Sequence, residues 1–121
     1  MPVSLVVDDE PSVRKYVSTI LQREDFQTLE AEDGAHALQI VHELGGGVDL
    51  IVSDVQMPNG DGLSLARAVE KLYPAVPVIL VSGNAKPSAR FEFVQKPFPP
   101  ATLLKAVRKV FAHRFASVVR D

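Results

Sequence analysis

An alternation in the chain narrows its possible folds more than any other feature. Nearly all-apolar runs at Val3–Val7, Leu50–Ser53 and Val78–Val81, with further strand candidates at Gln27–Ala31 and Phe91–Val94, are separated by segments of helical period. Val13, Val17, Ile20 and Leu21 fall at i, i+4, i+7 and i+8, and Leu103, Val107, Val110 and Phe111 repeat that spacing. Asp33-Gly34 opens a helix over Ala35–Glu43, and Asp61-Gly62 opens one over Leu63–Leu72 that Pro74 and Pro77 close. Strands apolar along their whole length belong in a parallel sheet covered by helices on both faces, which makes this an α/β chain. With 121 residues, no internal repeat and no linker, residues 1–121 read as a single domain. Right-handed crossovers then bring the C-terminal end of every strand to one edge of the sheet, where ligands bind in open α/β folds.

Composition removes several functional classes. There is no cysteine, hence neither a disulfide framework nor a thiolate metal site. Met1 is followed by proline, and no apolar run has the length of a signal core or membrane span, so the cytoplasm is the expected location and no membrane contact is expected. The net charge of −2 divides unevenly: residues 1–61 carry twelve acids against three bases, and residues 62–121 carry three acids against ten bases. The bases, including Lys105, Arg108, Lys109 and Arg114, are spread without interleaved aromatics, which reads as solvated helix faces and not as a nucleic-acid surface. Neither a Walker A sequence nor a glycine-rich dinucleotide fingerprint occurs, and His36, His42 and His113 lack ligand spacing.

The strand ends carry the chemistry. The first ends in "VVDDEPS", where Asp8, Asp9 and Glu10 precede a proline; one acid would suffice to cap the helix, and the Asp8-Asp9 pair exceeds that need. The third ends at Asp54 before the turn residues Pro58 and Gly60. Brought together, each close pair of these carboxylates repels by about 4 kcal/mol at ~4 Å with an effective dielectric near 20. Such a cluster calls for a cation, and hard oxygen donors suit Mg²⁺ or Mn²⁺, held mainly by Asp9 and Asp54 with Asp8 reaching it through water. The fourth strand ends at Ser82 and the fifth at Lys96, next to Pro97. Three acids, a hydroxyl, an ammonium and a metal form a site for a phosphoryl group, with a carboxylate as nucleophile.

This set resembles the receiver domain of two-component response regulators. The resemblance rests on Asp8-Asp9, "SDVQMPNGDG" around Asp54, "VSG" with Ser82, "KPF" with Lys96 and "EDGAHAL" at residues 32–38. It implies a doubly wound, flavodoxin-like fold of five parallel strands in the order 2-1-3-4-5. It also implies that Asp54 accepts a phosphoryl group from the phosphohistidine of a histidine kinase or histidine phosphotransfer protein. Mg²⁺ would be ligated by Asp9, Asp54 and the backbone carbonyl of Gln56, with Asp8 assisting. Lys96 would pair with the acceptor and then with a phosphoryl oxygen, while Ser82 would bond another oxygen and Phe93 would act as the switch aromatic. Pro58, Gly62 and Pro97 would shape the loops, the last through a cis Lys96–Pro97 peptide.

One departure from the family bears on output. Fourteen positions separate Ser82 from Lys96, roughly seven or eight fewer than in familiar receivers, a deficit of about two helical turns. The segment also contains Gly83 and Pro87, both poor helix residues. The fourth crossover helix is therefore expected to be missing or reduced to a turn, which removes part of the surface through which similar proteins address their targets. The downstream partner stays unknown, and both a stand-alone receiver and a hybrid-kinase receiver fit. Two rival readings use the same residues: a pseudo-receiver that acts as a scaffold without phosphorylation, and a Mg²⁺-dependent aspartyl phosphatase with Asp8 as nucleophile.

Overall fold

In a computed structural model of the chain, the described residues are 1–84, 86–88 and 90–119, with side chains described through Ala112. The elements run β1 (Val3–Val7), α1 (Pro11–Arg23), β2 (Gln27–Ala31), α2 (Gly34–Glu43), β3 (Leu50–Asp54), α3 (Gly62–Leu72), β4 (Val78–Ser82), β5 (Glu92–Gln95) and α4 (Pro100–Val119). All strand pairings are parallel, and the order is β2-β1-β3-β4-β5. This is the expected doubly wound, flavodoxin-like arrangement.

Strand alternation divides the core into two layers. Leu5, Val7, Ile51, Val78 and Leu80 point to one face, where Ala37 and Val41 of α2 and Leu65, Ala66 and Val69 of α3 cover them. Val6, Leu50, Val52, Ile79, Val81 and Val94 point to the other, under Val17, Ile20 and Leu21 of α1 and Leu103, Ala106 and Val107 of α4. The i, i+4, i+7 spacing seen in α1 is thus the stripe that faces the sheet.

Three strands differ from their expected bounds, β3 and β4 by a residue at the end and β5 by a residue at both ends. β3 runs through Asp54, which pairs in register with Val81, and β4 runs through Ser82, which pairs with Gln95. Polar side chains end the apolar pattern there, but the backbone ladder continues. β5 covers Glu92–Gln95 and leaves out Phe91, whose side chain is nevertheless buried in the layer under α3. Burial follows the side chain, whereas strand pairing follows the backbone, so an apolar run misplaces the start of an edge strand.

Between β4 and β5 no helix occurs among the described residues, in agreement with the shortened connection. Asn84 donates its backbone N–H to Ser82 Oγ at 3.0 Å, and Arg90 donates to Glu70 of α3 at 2.7 Å. The crossover is therefore an irregular strap pinned at both ends. The side chains of His113 and Arg114 lie outside the described residues.

Truncating an inner strand residue should cost far more than truncating an exposed helix residue. Leu80→Ala, fully buried at the centre of β4, is expected to lower unfolding free energy by about 2–5 kcal/mol. Leu72→Ala, at the exposed end of α3, should change it by less than about 0.5 kcal/mol. Urea unfolding of both variants checks the difference.

Candidate functional site

Three strand ends meet where the topology places them together. Asp8 follows β1 directly and Asp54 closes β3, and both are buried, at 2% and 8% exposure. Asp9, one residue on, is exposed. One carboxylate oxygen from each of Asp8, Asp9 and Asp54 lies within 4.8 Å of the others. Between them reaches Lys96, from the residue after β5, with Nζ at 3.0 Å from Asp8 Oδ2 and 3.4 Å from Asp54 Oδ1.

The helix-cap explanation for the first acids does not hold. Glu10 occupies the N-cap of α1 without a side-chain cap bond, and Pro11 supplies the first helical residue. Asp8 Oδ1 instead accepts the backbone N–H of Glu10 at 2.9 Å, tightening the loop while its other oxygen faces Lys96. In contrast, Asp33 and Asp61 are true caps: they accept from His36 and Ser64 at 2.8 and 2.7 Å, opening α2 and α3.

The floor of the site is held by close backbone approaches. Ser53 Oγ donates to the Asp54 carbonyl at 2.9 Å. Gly62 begins α3 against that same carbonyl, so tightly that a Cβ at Gly62 would overlap it. Gly60, at a φ of 94°, brings its carbonyl under Gly34, which donates to it at 3.2 Å. The "DG" steps thus seat the start of α3 on the Asp54 carbonyl and the start of α2 on the Asn59–Gly60 turn. Pro58 and the exposed Gln56 line a shallow open depression of about 570 Å³ beside Asp9, together with Met57 and Leu63. The Lys96–Pro97 peptide is cis, as expected, and Lys96 N donates to the Ser82 carbonyl at 2.8 Å.

Not every expected residue engages the acids. Ser82 is buried, with its hydroxyl accepting from Asn84 in a local turn. Phe93 is half-buried against the α2–α3 layer, as strand alternation with Phe91 requires. Lys96 hydrogen-bonds Asp8, which lies nearer to it than Asp54 does. One participant has no sequence signature: Arg14 of α1 donates from Nη1 to the Asp8 carbonyl at 2.8 Å and from Nε to Glu30 at 3.1 Å. It ties the end of β1 to β2. Only the helical turn from Glu10 to Arg14 hints that this side chain returns to the loop.

Burial and charge work against each other here. Burial pushes the Asp54 carboxyl above the ordinary carboxylate range; the Lys96 charge pulls it back, and the Asp8 charge adds to the rise. Burial also opposes the Lys96 ammonium, but its hydrogen bond and charge contacts with Asp8, and then Asp54, outweigh this and hold it above its usual value. The donor set consists of hard oxygens, partly open to solvent through Asp9, and fits a divalent cation.

The family model of the response regulator receiver domain matches residues 4–108. The chain belongs to the response regulator receiver domain family. The receiver is 40% identical over 114 residues to the sensor kinase CckA of Brucella abortus, covering 88% of this chain and 12% of that kinase. It spans about half the length or less of the curated relatives it matches. Among solved structures, the chemotaxis protein CheY4 of Vibrio cholerae superposes with a TM-score of 0.81 at 32% identity, covering 91% of this receiver and 98% of that chain. The response regulator TrrA of Thermotoga maritima, in complex with Mg²⁺-BeF, superposes at 0.80 with 31% identity, covering 91% and 99%. Receivers are signalling domains of two-component systems and not conventional enzymes, and they work with histidine kinases or phosphotransfer proteins. No helix among this receiver's described residues is long and apolar enough to cross a membrane.

A raised carboxyl pKa means that the folded receiver takes up the Asp54 proton more readily than the unfolded chain does. This carboxylate therefore lowers stability above its folded pKa, and the loss is relieved as pH falls through that value. In metal-free solution at neutral pH, Asp54→Asn should raise the melting temperature. Thermal unfolding from neutral pH down through the carboxylate range should show that advantage shrinking towards zero.

Proposed function

We propose that this receiver accepts a phosphoryl group on Asp54 from the phosphohistidine of a histidine kinase or histidine phosphotransfer protein, and that the modification switches its protein contacts. The observation that carries this reading is the position of Asp54: a nearly buried carboxylate, flanked by Asp8 and by the ammonium of Lys96, at the ligand-binding edge of the sheet. In the transfer, an Asp54 oxygen attacks phosphorus as the phosphorus–nitrogen bond breaks, and the departing imidazole takes a proton from solvent. Asp8, Asp9, Asp54 and the Gln56 carbonyl would hold Mg²⁺, or Mn²⁺ in its place. Bound there, the ion supplies positive charge to the phosphoryl oxygens.

The remaining roles fall to side chains already in reach. Lys96 shifts from its carboxylate partners towards a phosphoryl oxygen, an electrostatic contribution that requires no new burial of charge. Ser82 leaves its turn with Asn84 and donates to another oxygen, drawing the β4–β5 strap inward. Phe93, half-buried on the edge strand, repacks with that movement through apolar contact alone. Gly62 and Pro58 hold the loop that presents Asp54, and Pro97 orients Lys96. The likenesses to a CckA receiver and to CheY4 support a cytoplasmic module that speaks to other proteins and does not bind nucleic acid directly. The whole chain would serve as one receiver unit, alone or within a hybrid kinase.

Acetyl phosphate with Mg²⁺ tests the reading without knowledge of the partner. Intact-mass measurement should show one phosphoryl adduct per chain, lost on chelation and absent in Asp54→Asn. Lys96→Ala should slow its appearance by about 10²-fold or more. Undiminished labelling of Asp54→Asn would assign the phosphoryl group elsewhere and refute the proposal.

A further inference from the structure

Beside the acids runs a stretch of backbone that cannot be fastened in the usual way. Residues 97–100 read Pro-Phe-Pro-Pro, so the link from β5 to α4 carries a single backbone N–H, that of Phe98, and other elements must hold it through its carbonyls and its one large side chain. Lys96 opens this link. On the near side it is fixed by its own N–H, which donates to the Ser82 carbonyl at 2.8 Å. On the far side the Phe98 ring is buried in the layer under α1 and α4, and the Phe98 carbonyl accepts the hydroxyl of Tyr16 at 2.8 Å. The Tyr16 and Phe98 rings also meet, with centroids 5.9 Å apart.

Burial of apolar surface does not account for Tyr16, which keeps 42% exposure on α1. Its polar end is the part that finds a fixed partner. Two positions earlier in the same helix, Arg14 donates to the Asp8 carbonyl at 2.8 Å. Residues two apart in an α-helix point about 200° from each other, so these side chains straddle α1, one reaching the loop after β1 and the other the link after β5. The helix thereby grips the backbone next to both members of the Asp8–Lys96 pair, whose Nζ–Oδ2 distance is 3.0 Å.

We propose that Tyr16 is a positioning residue for phosphoryl transfer: its hydroxyl, bonded to the Phe98 carbonyl, fixes the link that aims the Lys96 ammonium at Asp8 and Asp54. The inference rests on the phosphoacceptor reading and adds to it a residue that acts through Lys96 without touching the reacting atoms. Tyr16→Phe deletes the hydroxyl and keeps the ring against Phe98, so the fold should persist, verified by its amide spectrum. With saturating Mg²⁺ and acetyl phosphate, this variant should acquire the phosphoryl adduct about three- to tenfold more slowly than the parent chain, the range expected for one hydrogen bond. In a Lys96→Ala background the same substitution should change the rate by less than about 1.5-fold, because the group it positions is gone; a general loosening of the fold would slow both backgrounds alike. A second measurement needs neither donor nor metal. In chains labelled with ¹³C at lysine Cε, the Lys96 signal, assigned by its loss in Lys96→Ala, should move in Tyr16→Phe while the other lysine signals stay. An unchanged rate, a loss that persists in the Lys96→Ala background, or an unmoved Lys96 signal would each overturn the role of Tyr16. A parent chain that takes no adduct would instead refute the phosphoacceptor reading, and the lysine spectrum would still decide whether Tyr16 places Lys96.

Discussion

The structure turns on the crowding of like charge where β1 and β3 end. Asp8 and Asp54 are both nearly buried, Asp9 lies beside them, and among the described residues the ammonium of Lys96 is the cation paired with the two buried acids. A single ammonium shared between two carboxylates lessens the repulsion without cancelling it. The upward displacement of the Asp54 carboxyl records the part of the cost that remains, with burial as its larger source. A divalent cation bound among these oxygens would relieve that remaining cost.

The rest of the fold holds that crowding in place. The parallel ladder sets the heights of Asp8 and Asp54 through the pairing of Val7 with Ser53, and Asp54 in turn with Val81. Gly62 lets the start of α3 close on the Asp54 carbonyl, and Gly34 lets the start of α2 close on the Gly60 carbonyl. Arg14 anchors the Asp8 carbonyl, and Lys96, one residue beyond β5 with its backbone N bonded to the Ser82 carbonyl, brings the ammonium in from the edge strand. Away from this edge, the same sheet opens towards a groove between α3 and α4, so the two ends of the β4–β5 pair differ in character: one gathers acids, the other is apolar with its rim charges paired as Arg90–Glu70 and Lys109–Glu92.

Much of this was legible in the sequence because different physical signals agreed. Alternating periods identified a parallel α/β sheet, and the acids stood out because three carboxylates at two strand ends exceed what capping needs. The short, glycine- and proline-bearing link after Ser82 foretold the missing helix. Legibility failed where backbone and side-chain patterns part. Phe91 is buried like a strand residue without pairing as one, and Asp54 and Ser82 pair as strand residues despite their polarity. Neither the preference of Lys96 for Asp8 nor the return of Arg14 to the β1 loop has a local pattern. Both depend on distances set only once separate elements have packed.

Thermal stability as a function of Mg²⁺ tests the central claim most directly. If the gathered carboxylates await a divalent cation, ligand binding to the folded chain alone should raise the melting temperature progressively, with a gain of about 2.7 kcal/mol when the ion reaches a hundred times its dissociation constant. The gain should vanish in Asp9→Asn and should not be reproduced by monovalent salt of equal ionic strength. A melting curve indifferent to Mg²⁺, or one that responds equally to both salts, would contradict the account.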